Sequence, residues 1–393
     1  MDPTTLLTAL VVAIGLLGAD AVMYPDSVVV EVAPPPKLDS LSIDKSTLEA
    51  DFAGRLDEIL STVSVVRSID IRPSSDVGVG MALAEAAGVQ NVAYALQSAI
   101  GYKPDRLRLA LFTEDGKLRA LVSGYDHVHT ADGSLGGWVS GGQQGNDFRT
   151  VMVPNKDEKL LDFVRRCSLW GASQLAPYST TLYLLEQHAA DKDFGDVIAL
   201  TEHVKAQLPP TPHNAERALF DNVLGLVALF HNDKQGARDA FDRAMRSDPT
   251  NPVPFLNAAF TDLQFDDDQQ ALDRMEQLIQ VAPPAKSGLL ATAYMTEGAA
   301  LMALKNLKRA NEMFAKAIQI APNSATVLGL WAEEKTLEGD KVEAARLRQR
   351  ALVQTATFEN YSEVAALYFH LSWADNQPVV RSEFTNPGVV SFH

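Results

Sequence analysis

The residues best suited to chemistry lie together in the stretch DHVHTAD, which runs from Asp126 to Asp132. His127 and His129 are two positions apart, so on a β-strand their side chains would point to the same side. A His-x-His pair can bind zinc or copper. No third ligand follows at a telling spacing. His127 and His129 are therefore metal-site candidates, and histidines at the end of a strand are the plainer interpretation.

A glycine cluster follows directly, with six glycines between Gly133 and Gly145. It lacks the Lys-Ser/Thr pair of a phosphate-binding P-loop and does not join a strand to a helix, so it indicates a hairpin loop. The sequence contains no nucleophile elbow, no His-Glu-x-x-His and no paired-carboxylate motif. We therefore predict no catalytic residue, no bound metal and no cofactor, and we do not expect an enzyme.

The composition of the chain argues against nucleic-acid binding and against an intramolecular disulfide. The chain has 393 residues, a formal net charge of −16 and a pI of about 4.9. Such an acidic chain lacks the basic surface of a nucleic-acid binder. Its single cysteine, Cys167, excludes an intramolecular disulfide. The surrounding sequence DFVRRCSLW is typical of an amphipathic helix, which predicts that this thiol is buried.

Residues 46–174 carry the mixed pattern of an α+β domain. A helix is predicted from Ser46 or Thr47, a short strand in VVRSIDIRP, a second helix around residues 89–100, and a closing helix in DEKLLDFVRRCSLWGASQL. The clearest hairpin is RLRLALFTEDGKLRALVSGYD, where Asp115-Gly116 suits a tight turn between two alternating strands. GGWVSGGQQGNDFRTVMVP is interpreted as a further pair of strands.

The first 24 residues contain an apolar run from Leu6 to Gly18, which continues to Met23 past Asp20. A spanning helix needs roughly 20 apolar residues, so the run predicts a single transmembrane helix. A cleaved signal peptide, with ADA at 19–21 as its cleavage site, and a buried soluble helix are the alternatives. Residues 25–45 include APPPK and are expected to form a linker.

The second half of the chain repeats. Ala237 recurs as Ala271, Ala310 and Ala344, at spacings of 34, 39 and 34 residues. In the same register Phe241 corresponds to Met275, Phe314 and Arg348, and Pro249 to Pro283, Pro322 and Ala356. Gly225 in the preceding helix corresponds to Ala259, Gly298 and Ala332. Small residues at the 225 position predict two closely packed antiparallel helices in each unit.

These units resemble the tetratricopeptide repeat family, through Leu224-Gly225, Ala237, Phe241, Ala244 and Pro249, and again through Gly298, Ala310, Phe314, Ala317 and Pro322. The resemblance implies an α-solenoid of helical hairpins over residues 175–376. A weaker copy is expected over 178–211 and a capping helix in ENYSEVAALYFHLSWAD, before a tail at 377–393. The expected fold is thus an N-terminal transmembrane helix, an α+β domain and this α-solenoid.

A looser resemblance concerns the layout of the whole chain. The segments VVVEV-PP-L and PYSTTLYLLE look like those of bacterial membrane-anchored proteins in which a small α+β domain precedes tetratricopeptide repeats. The resemblance implies a single-pass protein of the bacterial inner membrane with most of the chain in the periplasm. Secretion to the periplasm after signal cleavage is the alternative.

The functional hypothesis is a membrane-tethered protein–protein interaction scaffold, which in one version is part of a bacterial envelope assembly. In the tetratricopeptide family the first helix of each pair lines a groove that holds protein partners. The resemblance therefore implies these groove candidates: Asn222, Phe255, Asn257, Asp262, Tyr294, Glu297 and Trp331. The alternative hypothesis is an extracytoplasmic sensor or enzyme with its site in the α+β domain.

Overall fold

The structure is a computed structural model, and it describes residues 27–33, 45–62, 70–73, 105–126, 146–209, 211, 213–281, 287–352 and 364. The chain divides into two compact units, Met1–Thr62 with Val66–Tyr183, and Val63–Val65 with Leu184–His393. In its described residues the first unit combines a sheet with helices, and the second is helical.

The first unit contains a five-stranded sheet with the order β2-β1-β3-β4-β5. The strands are β1 (Ser27–Ala33), β2 (Asp70–Pro73), β3 (Asp105–Glu114), β4 (Lys117–Asp126) and β5 (Asn146–Met152). Strand β1 is parallel to both β2 and β3, whereas β3, β4 and β5 form an antiparallel meander. The predicted strand in VVRSIDIRP is confirmed as β2.

The hairpin predicted at Asp115-Gly116 is also confirmed. Glu114 pairs with Lys117 across the turn. Asp115 has a φ of 52° and Gly116 a φ of 72°. A two-residue turn of type I′ needs positive φ at both central residues, and Asp-Gly tolerates that conformation. Of the region GGWVSGGQQGNDFRTVMVP, the structure describes its last part as β5.

Strand β1 lies within residues 25–45, which the sequence led us to expect as a linker. Its residues alternate in burial: Val28, Val30 and Val32 are buried, and Glu31 is exposed. This alternation is that of a strand with one face in a core. The partner strands begin at Asp70 and Asp105, and such distant pairing leaves no signal in the local sequence.

Two helices, α1 (Lys45–Leu60) and α2 (Leu160–Leu175), pack against this sheet and against each other. Phe52 of α1 and Phe163 of α2 are fully buried in the common core, beside Leu107 of β3. Cys167 lies in the same core with no exposed surface, so its predicted burial is confirmed. Both helices were predicted from the spacing of their apolar residues.

The described part of the second unit consists of helices. The boundary between the two units falls within α3 (Pro177–His188), and the helices of the second unit follow it. They are α4 (Gly195–Gln207), α5 (Ala215–Phe230), α6 (Lys234–Ser247), α7 (Pro252–Gln264), α8 (Asp268–Val281), α9 (Ser287–Ala303), α10 (Leu307–Ile320), α11 (Ala325–Glu338) and α12 (Lys341–Leu352). From α5 onward they form four antiparallel pairs, and each first helix also packs against the preceding pair.

The turn between the two helices of a pair has the same conformation in all four pairs. In every pair, a residue one or two positions after the end of the first helix has a positive φ: Asn232, Asp266, Lys305 and Gly339, with φ of 60°, 59°, 61° and 88°. Their spacings of 34, 39 and 34 residues match those of Ala237 and its counterparts. Lys192, between α3 and α4, has a φ of 61° as well, which supports the interpretation of residues 178–211 as an earlier copy.

Several expectations concern residues outside the described ranges. These are the apolar segment at 1–24, the helix around 89–100, the pair His127 and His129, the glycine cluster from Gly133 to Gly145, and all of the C-terminal helix and tail except Val364. Within the described ranges, no helix has the length and apolar character that a membrane span requires. The predicted transmembrane segment therefore stays a prediction.

Candidate partner-binding face

In two of the four pairs, a glycine on the first helix meets an aromatic ring on the second. Gly225 of α5 faces the ring of Phe241 on α6, and Gly298 of α9 faces the ring of Phe314 on α10. In both places a Cβ atom would collide with the ring. The predicted role of small residues at the 225 position is thus confirmed for these two pairs.

The glycine–ring contact and the positive-φ turn mark the repeating unit together, because the turn residue lies seven positions after residue 225 or its counterpart in each pair. The positive-φ turn returns at spacings of 34, 39 and 34 residues along a stack of antiparallel helix pairs, and the glycine–ring contact returns after two repeats, from Gly225 to Gly298. The array has the tetratricopeptide repeat fold. The identification depends on this internal geometry, and the fold places the first helices α5, α7, α9 and α11 side by side.

Comparison with solved structures gives likenesses that are confined to part of the chain. PilF of Pseudomonas aeruginosa matches with a TM-score of 0.38 and 15% identity, over 45% of this chain and 78% of that chain. MamA matches with a TM-score of 0.35 and 19% identity, over 42% and 91%. The first tetratricopeptide domain of Spaghetti (RPAP3), bound to the HSP90 peptide SRMEEVD, matches with a TM-score of 0.30 and 20% identity, over 33% and 98%.

No protein-family model matches the sequence, and neither does any curated protein. At such low identity the structural likenesses concern the fold alone. What the neighbouring structures bind is a property of those proteins.

Two of the predicted groove residues form a link between neighbouring first helices. Asn257 of α7 donates a hydrogen bond from Nδ2 to Oδ1 of Asn222 on α5, at 2.8 Å. Both side chains are buried. The pair fixes the register of α7 against α5, because a buried amide is costly to leave without a partner.

Asp262 lies at the centre of a buried ionic cluster. Its Oδ1 accepts a hydrogen bond from Nε of Arg238 on α6 at 2.6 Å, and its Oδ2 accepts one from Nε of Arg274 on α8 at 2.7 Å. Burial raises the pKa of Asp262, and the positive charges of Arg274 and Arg238 oppose that rise. The carboxylate therefore ties α7 to both second helices that flank it.

The remaining polar and aromatic groove candidates also contact a second helix. Glu297 is buried and accepts a hydrogen bond from Nη2 of Arg309 at 3.3 Å. The ring of half-buried Tyr294 lies 5.2 Å from Nζ of Lys316. The indole of half-buried Trp331 donates a hydrogen bond to Oδ1 of Asn311 at 2.9 Å.

Phe255, the last candidate, is buried among the helices of the array. The structure therefore brings Asn222 and Asn257 together and places Asp262, Glu297, Tyr294 and Trp331 against second helices. Whether these seven residues touch a partner stays a prediction.

Another set of residues faces away from the second helices, on the side of the first helices that we call the inner side. Successive residues of a helix are about 100° apart. Relative to Ala259, the counterpart of Gly225, Phe260 and Val253 lie about 100° and 120° round α7. Asp262, which contacts Arg238 and Arg274, lies on the other side of Ala259, so Phe260 and Val253 point away from α6.

We call this set the inner stripe and define it by its recurrence along the first helices. Its members are seven residues apart within a helix and follow the repeat spacing between helices: Leu219, Leu226, Val253, Phe260, Thr292 and Ala299. None of them is charged. All are buried except Thr292, which is half-buried. The sequence held the signal for this stripe, whose members lie one position after or six positions before the residue that corresponds to Gly225 in the first three pairs. In the fourth pair the corresponding residues are Glu333 and Thr326, so the uncharged stripe ends before α11.

One polar atom lies beside the inner stripe. Gln264 follows Phe260 by one helical turn, and its side-chain Oε1 is buried without a hydrogen-bond partner in the structure. A buried amide oxygen without a partner can accept a hydrogen bond from a donor group that approaches from the inner side.

The described part of the first unit shows no metal site. His127 and His129 lie outside the described residues. Among the residues that are described, no cluster of histidine, cysteine and acidic side chains could hold a metal ion. Burial raises the pKa of the Cys167 thiol to about 12, so this thiol is protonated at neutral pH.

Proposed function

We propose that this protein is a protein–protein interaction scaffold, and that the inner stripe of its repeat array receives an apolar segment of the partner. The observation that carries the proposal is the stripe itself. It recurs on three successive first helices and contains no charged residue. Apolar side chains aligned along neighbouring helices form the kind of groove that takes an amphipathic helix or an extended peptide.

The chemistry of the stripe favours one class of partner. Leu226, Val253 and Phe260 give the stripe its aliphatic and aromatic side chains, and Gln264 provides one acceptor beside them. An acidic peptide such as SRMEEVD, which RPAP3 binds, would need basic side chains at this surface to compensate for its desolvation. The preferred ligand is therefore a segment with two or more large apolar side chains and few carboxylates.

Membrane tethering forms a second part of the proposal, and it is supported by the sequence of residues 1–24. The apolar run from Leu6 to Met23 has about the length of a spanning helix. We propose a single-pass protein of the inner membrane with its repeats in the periplasm. Resistance of the full chain to carbonate extraction, and cleavage of the repeats by protease only after the outer membrane is opened, would support it. Release of the chain into the soluble fraction would refute it.

The interaction proposal is tested by selecting peptides from a random display library on the full chain. We expect the selected peptides to be rich in large apolar residues and poor in carboxylates. Substituting Phe260→Gln should weaken their binding on the order of tenfold, because an amide replaces an aromatic ring in the stripe. Val342→Gln, on the 83% exposed Val342 of α12, is the matched control and should leave binding unchanged.

Two results would refute the proposal. One is a selection dominated by acidic peptides, with SRMEEVD among the binders. The other is equal loss of binding in the Phe260→Gln and Val342→Gln variants, which would place the binding surface elsewhere. Circular dichroism of both variants verifies that the helices remain intact.

A further inference from the structure

Strand β5 forms one edge of the sheet in the first unit. Of the described strands, only β4 pairs with it. In an antiparallel pair, alternate residues direct their backbone N–H and C=O groups away from the partner strand. No backbone hydrogen bond joins these outward groups of β5 to a described residue beyond β4. Such an edge is a template on which a further strand can pair.

The side chains of β5 alternate between the two faces of the sheet. Phe148 and Met152 are half-buried and pack against the core, where the ring of Phe148 lies 5.9 Å from that of Trp170 on α2. Arg149 and Val151 point to the opposite side, which we call the outer face. Both are exposed there, Val151 to 51%. A strand added at this edge would therefore meet different chemistry on its two sides.

An apolar row crosses the outer face and ends at the edge. Ala33 of β1 lies opposite Ala110 of β3, Ala110 lies opposite Leu121 of β4, and Leu121 lies opposite Val151. Directly opposite side chains are the contacts that stabilise neighbouring strands. A partner strand with an apolar residue opposite Val151 would extend this row and cover the exposed valine.

A charged row runs beside the apolar one. Arg149 lies opposite Ser123 of β4, and Ser123 lies opposite Arg108 of β3. Arg108 reaches Glu31 of β1 at 3.6 Å, from Nε to Oε1. Among the described residues, none forms an ion pair or a side-chain hydrogen bond with Arg149. A carboxylate on a partner strand would give this exposed guanidinium its counter-charge.

We propose that the edge of β5 binds an extended, acidic segment of a partner protein by strand addition. The segment has an acidic residue opposite Arg149 and an apolar residue opposite Val151. On its other side, apolar residues lie beside Phe148 and Met152. Backbone hydrogen bonds provide affinity in this mode, and the alternating side chains provide specificity. This surface belongs to the first unit and goes beyond the function proposed for the inner stripe.

A second copy of the chain fits this edge less well than an acidic partner does. Full antiparallel overlap of two Asn146–Met152 strands is centred on residue 149. That register places the two Arg149 residues directly opposite each other. Like charges in this position destabilise a sheet, and any register that separates them shortens the paired segment.

The test measures the affinity of the full chain for two fluorescent peptides by anisotropy. In a parallel strand, the peptide TVETVVT places glutamate opposite Arg149 and valine opposite Phe148, Val151 and Met152. The peptide TVVTEVT does the same in an antiparallel strand. We expect one of them to bind and to slow amide exchange in Asn146–Met152. Lysine in place of its glutamate should weaken binding on the order of fivefold, because a like-charge pair replaces an opposite one.

Charge reversal in the protein provides the matched exchange. Arg149→Glu should prefer the lysine peptide to the glutamate peptide, on the order of fivefold. Because that binding needs an intact edge, it also verifies the fold of the variant. Arg246→Glu, at an exposed position of α6, changes the net charge equally and should keep the preference for glutamate. Phe260→Gln, in the inner stripe, should leave both affinities unchanged, so this test is independent of the peptide selection.

Three results would overturn the inference. Equal affinity for the glutamate and lysine peptides, or no binding of either strand direction, would mean that Arg149 selects no acidic strand. Undiminished binding of a peptide methylated at its backbone nitrogens would place it on the outer face without strand addition. Protection of Asn146–Met152 that rises with protein concentration in the absence of peptide, together with a dimer, would assign the edge to a second copy.

Discussion

The ring of Phe241 lies where a side chain on residue 225 would have to be. A Cβ atom added to Gly225 would be 2.4 Å from Cε1 of Phe241, which is closer than any normal contact. The equivalent distance from Gly298 to Cε1 of Phe314 is 2.9 Å. Each of the other two pairs has alanine in place of the glycine, at Ala259 and Ala332, and a non-aromatic residue in place of the phenylalanine. Residue sizes on the two helices thus compensate each other.

Gly225→Ala should therefore destabilise the protein, although alanine is the better helix former. The collision with Phe241 is an overpacking defect that costs about 1–3 kcal/mol, whereas the helix propensity of alanine returns about 1 kcal/mol. Urea unfolding followed by circular dichroism measures the difference. Gly54→Ala is the matched control, because nothing lies within 4 Å of a Cβ there, and it should stabilise the protein by about 0.5–1 kcal/mol.

A second substitution provides the rescue. Gly225→Ala combined with Phe241→Met reproduces the pair Ala259 and Met275 of the next unit. The double variant should be more stable than Gly225→Ala alone. If Gly225→Ala were as stabilising as Gly54→Ala, the close approach of α5 and α6 would be wrong.

Asp262→Ala should be among the most damaging single changes in the array. The side chain has 0% exposure and lies between Arg238 and Arg274, so its removal leaves two partly buried guanidinium groups without their carboxylate. Breaking a buried ion pair in this way costs about 3–5 kcal/mol. Urea unfolding should show this loss.

Asp267→Ala supplies the comparison for this cluster. Its side chain also contacts Arg238 but is 38% exposed. An exposed ion pair contributes about 0–1 kcal/mol, so this variant should unfold close to the parent protein. Similar losses for Asp262→Ala and Asp267→Ala would contradict the assignment of Asp262 as the centre of the cluster.

Glu334→Gln should stabilise the protein at pH 7. Glu334 of α11 is fully buried, and neither carboxylate oxygen has a hydrogen-bond partner, although Nζ of Lys335 lies 3.4 Å from Oε2. Burial raises the pKa of Glu334; the charge of Lys335 opposes the rise and that of Glu338 adds to it. The neutral amide avoids the desolvation cost of the charge.

The pH dependence of this effect has a definite sign. Because the folded-state pKa of Glu334 is raised, the folded state holds this proton more tightly than the unfolded state does. The stability contribution of the native carboxyl is therefore greatest below the unfolded-state pKa, and it declines as pH rises through the folded-state pKa. The advantage of Glu334→Gln should be largest at pH 7 and shrink toward pH 4. An advantage that grows on acidification would contradict this account.

Cys167 should resist thiol reagents in the native protein. Burial in the core beside Phe163 denies access, and the pKa of about 12 leaves almost no thiolate at pH 8. Labelling with a chromogenic disulfide should proceed only after addition of denaturant. Rapid labelling of the native chain would mean that α2 is not packed as described.

Local signals in the sequence determined how much of the fold could be predicted. Asp115-Gly116 fixes a turn between adjacent strands, so the hairpin needed no distant information. The recurrence of Ala237 revealed the array, because each unit must present the same small residue to its partner helix. Strand β1 was missed although its β-branched valines are a local strand signal, because the neighbouring APPPK indicates a linker and the partner strands at Asp70 and Asp105 are distant in sequence.

The candidate site was harder to predict than the fold. The groove candidates, Asp262 among them, followed from the tetratricopeptide resemblance, which implies that the first helices line a groove. The partners of Asp262, Arg238 and Arg274, are 24 and 12 residues away, so the resemblance alone could not show that this carboxylate is paired. The inner stripe depends on the direction of each side chain about the helix axis, which becomes certain only once Gly225 is known to face Phe241.

The most direct test of the central claim is photo-cross-linking from the inner face in living cells. A photoreactive amino acid at position 264, beside the inner stripe, is compared with one at position 342 in the full chain, and mass spectrometry identifies the attached peptides. The account predicts that position 264 captures apolar segments of a partner protein, which position 342 does not. Identical products from both positions, or no products from position 264, would contradict an inner face that binds apolar segments.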